Sequence, residues 1–242
     1  MINILPAIAA FLAGFIKTTF GVGAGVFLTP ILSIVMDPKT AVAIMAPMML
    51  LSDISTLGLH WKKWVINSVS MLIPGCIIGI VLGTYYLAWA SPIVIQRTIG
   101  TVAIIFSMLQ ILKQQKADYF SNLKMGSYYG VAISVIAGAA SAIAHSGGII
   151  ITIYLVTLGL KKHTFVATLT LFLFISDIVK IFLYYKLGVL TTNILIDGVI
   201  LAPALFIGSW LGSRLINKLT DKQFIIIINA LIFISGLILV LK

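Results

Sequence analysis

Eight apolar runs separated by short polar turns leave this chain almost nothing from which to build a water-facing surface. They are Ile4–Met36, Thr40–Leu59, Val65–Trp89, Ile93–Leu112, Gly126–Leu160, Thr164–Tyr185, Ile194–Ile216 and Phe224–Leu241. A bilayer core about 30 Å thick takes roughly 20 helical residues, and six of the runs are of that order. Hydrophobic residues make up 61% of the 242 and charged residues 9%, against about 25% charged in a soluble domain. A soluble globule and a disordered chain are both excluded. The expected fold class is an all-α polytopic membrane protein of about eight segments.

The first and fifth runs are too long for a single crossing, and both are interrupted. The first breaks at Gly21, Gly23 and Gly25 and then meets Pro30; the fifth carries Gly138, His145, Ser146, Gly147 and Gly148. Glycine loosens a helix, and freed backbone groups are tolerated in a membrane only where protein or a cavity covers them. Both segments are therefore expected to be broken or re-entrant helical hairpins. The opening run, whose first cation is Lys17, is read as part of the fold and not as a cleaved leader.

The sequence also repeats itself. Offset by 124, Gly14 meets Gly138, Gly23 meets Gly147, and Ser52-Asp53-Ile54 meets Ser176-Asp177-Ile178. Offset by 129, Pro74, Gly79 and Gly83 meet Pro203, Gly208 and Gly212. With only six acidic residues in the chain, the matched Ser-Asp pairs weigh against coincidence. The expected organisation is a first repeat over 1–112, a linker over 113–125 and a second repeat over 126–242.

The net charge of +10 does not point to nucleic acid, because the cations stand singly or in pairs between apolar runs, as topology signals do. With eight full crossings they divide evenly between the two sides. With the first and fifth runs turned back, ten Lys and Arg fall on one side and three (Lys39, Lys186 and Lys242) on the other. The hairpin arrangement restores the positive-inside rule. It gives each half an odd number of crossings, hence inverted repeats, with the linker cytoplasmic and both termini outside the cytoplasm.

Ionisable residues inside a membrane are candidate functional groups. Five stand out: Lys17 before the first break, His145 in the second, Asp53, Asp177, and Lys180 one helical turn after Asp177. Asp53 and Asp177 serve either as coupling or gating groups or as internal ion pairs that only hold helices together. Lys180 is either a partner of Asp177, a second anion ligand, or a side chain snorkelling to the interface. His145 is either a proton-coupling group or a satisfied structural histidine.

The breaks themselves attract anions, because a helix that restarts there exposes unpaired N–H groups at its positive end. Thr18 and Thr19 add hydroxyls beside Gly21, Gly23 and Gly25; Ser141, His145 and Ser146 do so beside Gly147 and Gly148. Two such breaks meeting at mid-depth would make a small electropositive seat for an oxyanion. Pro74 and Pro203 are expected to kink segments three and seven.

The run from Phe11 through Lys17-Thr-Thr-Phe-Gly21-Val-Gly23-Ala-Gly25 to Pro30 resembles the opening motif of the TauE/SafE (sulfite exporter) family, within the toluene sulfonate uptake permease superfamily. Asp37-Pro38-Lys39, the Val-Ala helix after it, His60-Trp61-Lys62, Pro74-Gly75 and the Gly79–Gly83 helix extend the likeness. The resemblance implies a bacterial inner-membrane transporter of sulfite, sulfonates or related organic anions, with both breaks as the substrate region. Departures are Ala24 within the glycine series, Tyr154 where a proline would match Pro30, and His145-Ser146. Lone Cys76 lies outside both breaks and argues against the cysteine chemistry of related thiosulfate carriers.

Together these readings give an inner-membrane secondary transporter for a small sulfur oxyanion, with proton coupling as an option its ionisable groups open. Lys17, Thr18, Thr19, Gly21, Gly23, Gly25, His145, Ser146, Gly147 and Gly148 are the expected anion site; Asp53, Asp177 and Lys180 are the coupling or gating groups. No metal or cofactor is expected, the expected partners are the anion and membrane lipid, and a homodimer is left open. Alternatives are a carrier of another organic anion such as a carboxylate, an intramembrane hydrolase using Ser146, His145 and Asp53, and a non-transporting subunit. The hydrolase lacks a Gly-x-Ser-x-Gly elbow, and adjacent residues on a helix do not face each other.

Overall fold

The computed structural model describes residues 7, 8, 10–12, 14, 15, 24–115, 125–215 and 221–242. Residues 7, 8, 10–12, 14 and 15 are helical. Ten helices follow among the described residues: α1 (Ala24–Val35), α2 (Pro38–Leu59), α3 (Ile66–Trp89), α4 (Pro92–Gln115), α5 (Ser127–Ala144), α6 (Gly147–Thr157), α7 (Lys162–Lys186), α8 (Thr192–Ile200), α9 (Ala202–Leu215) and α10 (Asp221–Leu241). Among the described residues, six stretches are long and apolar enough to cross a membrane: Pro38–Gly58, Ile66–Trp89, Pro92–Leu112, Ser127–Ala144, Lys162–Lys186 and Thr192–Gly212. α6, with 11 residues, rises only about 17 Å, about half the thickness of a bilayer core.

Local signals set the ends of these helices. Asp37 caps α2, its carboxylate accepting from Thr40 N at 2.9 Å, with Pro38 in the first turn; this is the usual chemistry of a helix start. Pro74 lies within the uninterrupted α3, so the expected kink there is not an interruption. The matching segment seven does break, at Leu201 between α8 and α9, just before Pro203. Proline has no N–H to donate and its ring crowds the preceding turn.

Segment five is a hairpin. α5 ends at Ala144, His145 takes the left-handed conformation (φ 51°, ψ 28°), and α6 begins at Gly147. α6 then runs back along α5: a Cβ on Gly147 would overlap Ala137 O and crowd Ser141, and one on Gly130 would press into the Tyr154 ring. Tyr154, where a proline would match Pro30, is thus the residue that packs the returning arm against its own α5. Of the break expected in segment one, Gly21 and Gly23 lie outside the described residues, and Gly25 and Pro30 lie within α1.

Main chains cross closely at glycines, and the crossings recur at the repeat offsets. A Cβ on Gly79 of α3 would overlap Val135 O of α5, and one on Gly138 would overlap Cys76 O of α3. The counterparts behave alike: a Cβ on Gly208 of α9 would overlap Phe11 O, and one on Gly14 would overlap Leu205 O. Residues 79, 76 and 208, 205 differ by 129, and 135, 138 and 11, 14 by 124. α4 and α10 cross in the same manner. Gly100 and Gly236 each face the other's carbonyl, and Ser107 donates to Asn229 O at 3.1 Å. An offset of 129 exchanges these two pairs. In a bilayer, where lipid is as apolar as leucine, such close approach supplies much of the association.

Candidate functional site

The ionisable residues singled out in α2, α5 and α7 converge on one cavity. It is lined by Ala24, Gly25, Met49, Asp53, Ser141, His145, Gly148, Ile149, Leu173, Asp177 and Lys180. About 30 Å³ is open to the centres of water-sized molecules, enough for roughly two waters or one small anion. Eight of the lining residues form four pairs at the 124-residue offset: Ala24 with Gly148, Gly25 with Ile149, Met49 with Leu173, and Asp53 with Asp177. The cavity is thus framed by equivalent positions of the two halves.

The charges are buried. Relative exposure is 0% for Asp53, 4% for Asp177 and 1% for Lys180, which removes the snorkelling alternative for Lys180. Its ammonium lies 2.6 Å from Asp177 Oδ1 on the same helical face. It also donates to Ser141 Oγ at 3.2 Å and to Ser141 O at 3.5 Å. That carbonyl also accepts from His145 N at 3.1 Å, so the ammonium is a second donor to the last turn of α5. Lys180 therefore holds Asp177 and closes the end of α5 at once. Cys76 approaches this cluster from behind, its sulfur 3.1 Å from Ser176 Oγ, and Tyr184 donates to Ala142 O.

The two sides of the cavity touch at Gly25. A Cβ there would overlap His145 Cβ and lie 2.9 Å from His145 O, so α1 rests directly on the break of the fifth segment. Both ring nitrogens of His145 are buried. Gly147 and Gly148 open α6, where N–H groups have no acceptor within the helix, and Ser146 makes no side-chain cap. α1 meets the cavity through Ala24 and Gly25, its first described residues.

Of the expected anion site, the structure brings Gly25, His145 and Gly148 onto the cavity together with Asp53, Asp177 and Lys180. Ser146 and Gly147 do not line it. The Ser146 hydroxyl donates to Ala140 O at 3.0 Å and its N–H reaches the same oxygen at 3.3 Å; it closes the break. Gly147 serves the close approach to α5. Lys17, Thr18, Thr19, Gly21 and Gly23 lie outside the described residues. Met49, Leu173 and Ile149 are not marked by the sequence, since apolar lining has no chemical signature. The repeat offset that pairs Met49 with Leu173 was the available signal.

The family model for the sulfite exporter TauE/SafE matches residues 6–239. The chain belongs to the TauE/SafE family. It is a polytopic protein of a family of membrane transporters, and the resemblance carried by the glycine motif and its second-half counterpart holds over nearly the whole length. No curated protein and no solved structure matches the chain. Within this family frame, the cavity between the fifth-segment break and α1 is the candidate substrate site.

Proposed function

We propose that this TauE/SafE protein is an inner-membrane secondary transporter of a small sulfur oxyanion, sulfite or a short organosulfonate, and that the cavity is its binding site. One observation carries the reading. A half-length helix opens without a side-chain cap on a cavity that also holds a buried ammonium, Lys180. Helix N-termini favour anions without adding mobile charge, and a compact tetrahedral or pyramidal oxyanion matches the space. The two halves act as inverted repeats that rock about the site. The offset-matched crossings at Gly79 and Gly208, and at Gly138 and Gly14, support this, as does the charge asymmetry of the hairpin topology.

Lys17, Thr18, Thr19, Gly21 and Gly23 complete the proposed site from the first half. By the 124-residue register Lys17 corresponds to Ser141, the residue Lys180 touches. Asp53 and Asp177 are the proposed coupling or gating carboxylates. The linker over 113–125 is cytoplasmic and both termini periplasmic.

Ligand-linked stabilisation tests the substrate class directly. Purified protein is melted against sulfite, sulfate, thiosulfate, methanesulfonate and acetate. Sulfite or methanesulfonate raises the melting temperature, and reconstituted protein exchanges the same anion. Stabilisation by acetate alone transfers the site to carboxylates; no shift with any anion overturns the reading. Topology is checked with a single cysteine at position 118 in a Cys76→Ser background, which reacts with an impermeant maleimide only from the cytoplasmic side.

A further inference from the structure

We propose that His145 is the proton carrier of this site, so that anion and proton enter the cavity together and leave it together. The inference rests on the reading of the cavity as an anion site and names how that site is regulated.

The placement of His145 is unusual on three counts. Its backbone is left-handed, a conformation that favours glycine; its position in the first half, 124 residues earlier, is Gly21. A connector here needs no side chain, yet this one carries an imidazole, and strained backbone persists where the surroundings enforce it. Gly25 supplies that enforcement, because its missing Cβ is what lets α1 close onto His145 Cβ. The ring borders the cavity with both nitrogens shielded from solvent.

The electrostatics around the ring are poised. His145 ends α5, whose carbonyl end favours a cation, and stands just before α6, whose N–H end disfavours one. The ionisable groups facing it across the cavity are Asp53 of α2 and Asp177 and Lys180 of α7; α1 and α6 contribute none among their described residues at the cavity. Lys180 is committed to Asp177 at 2.6 Å. An entering anion therefore adds negative charge beside two carboxylates, and an imidazolium offsets it. Histidine is the side chain that takes up a proton between pH 5 and 8 without a large perturbation. The proton comes from the aqueous phase that the open site faces and is returned to the opposite phase when the anion departs; no covalent bond changes besides the N–H.

Methanesulfonate is the probe, because its own charge is constant over the range. Its affinity for purified wild-type protein rises as pH falls from 8 to 6, by at most about tenfold per pH unit for one linked proton. In liposomes, methanesulfonate influx acidifies the lumen. His145→Asn and His145→Gly both suit the left-handed backbone; in them the pH slope and the acidification vanish, while residual binding persists. A slope retained in these variants overturns the proposal and moves the proton to a carboxylate. Absence of binding of any tested anion to wild type overturns the anion-site reading and this proposal with it.

A second measurement leaves His145 in place. The chain has three histidines, so in a His60→Gln, His163→Gln background the ring resonances of labelled protein report His145 alone. Methanesulfonate shifts its titration to higher pH; an unmoved titration overturns the proposal.

Discussion

The two halves share a backbone frame and differ in the charges hung on it. On the second-half side of the cavity stand Ser141, His145, Asp177 and Lys180; the first half contributes Ala24, Gly25, Met49 and Asp53 among the described residues. The position matching Lys180 is Thr56, the one matching His145 is Gly21, and the one matching Ser141 is Lys17. The crossings and the paired aspartates recur at the offsets, whereas the histidine and the buried lysine stand on one side only. What repeats is the main chain's close approach; what differs is the chemistry presented to a ligand.

The shared frame is the easier of the two to break. Gly79→Leu drives a side chain into Val135 O, and Gly208→Leu drives one into Phe11 O. The obstacle in both is backbone, which cannot rotate aside. Overpacking of this kind costs about 1 to 3 kcal/mol even where side chains yield, so both variants are expected to lose monodisperse protein on size-exclusion chromatography. Gly58, with open space around it, is the control. Gly58→Ala is expected to gain about 0.5 to 1 kcal/mol from helix propensity. If Gly79→Leu purifies normally while Gly208→Leu does not, the two crossings are not equivalent and the matched frame fails.

The charged side comes next. Lys180→Met leaves Asp177 buried without its cation and removes the ammonium from Ser141 Oγ. Breaking a buried pair costs about 3 to 5 kcal/mol, whereas replacing both members with apolar residues is often neutral. Asp177→Leu with Lys180→Met is therefore expected to recover most of the melting temperature lost by Lys180→Met alone, and to bind no anion. Recovery of anion binding in the double variant would move the site away from Lys180. Asp53→Asn, on the first-half side, is expected to melt within a few degrees of wild type and to alter transport instead.

Much of this frame was legible before any coordinates. The overlong fifth run, with His145, Ser146 and paired glycines at its centre, specified a break, because buried polar backbone must face protein or a cavity. The offset of 124 pairs Asp53 with Asp177, and both line the cavity. Less was visible where packing decides. Nothing in Met49 or Leu173 marks a cavity wall. Pro74 and Pro203 read alike, yet α3 continues through the first and the chain breaks beside the second. The pairing of Lys180 with Asp177 follows from their spacing on α7, but the arrival of Ser141 from α5 over that pair does not.

Lys17→Ala sharpens the comparison from the other half. Lys17 lies at the position of Ser141, and as the first-half cation of the proposed site its loss is expected to weaken sulfite or methanesulfonate binding by about tenfold, the equivalent of 1.4 kcal/mol. Calorimetric titration at fixed pH measures this. Unchanged affinity would leave anion recognition entirely to the second-half side.

The smallest effect separates closing the break from serving the ligand. Ser146 sits between His145 and the start of α6, where sequence alone places it among the anion's donors. Its hydroxyl is instead turned to Ala140 O, an acceptor already reached by its own N–H. Ser146→Ala therefore removes one of several donors to a carbonyl that the N–H groups of His145 and Ser146 also reach, a loss of at most about 1 kcal/mol in stability, with sulfite and methanesulfonate affinity unchanged. Thermal melting and titration on the same preparation read both quantities. A fall in affinity with unchanged melting would mean that the hydroxyl turns toward the cavity when the anion arrives, and the second break would then have to be counted as a ligand loop and not only as the scaffold that aims α6.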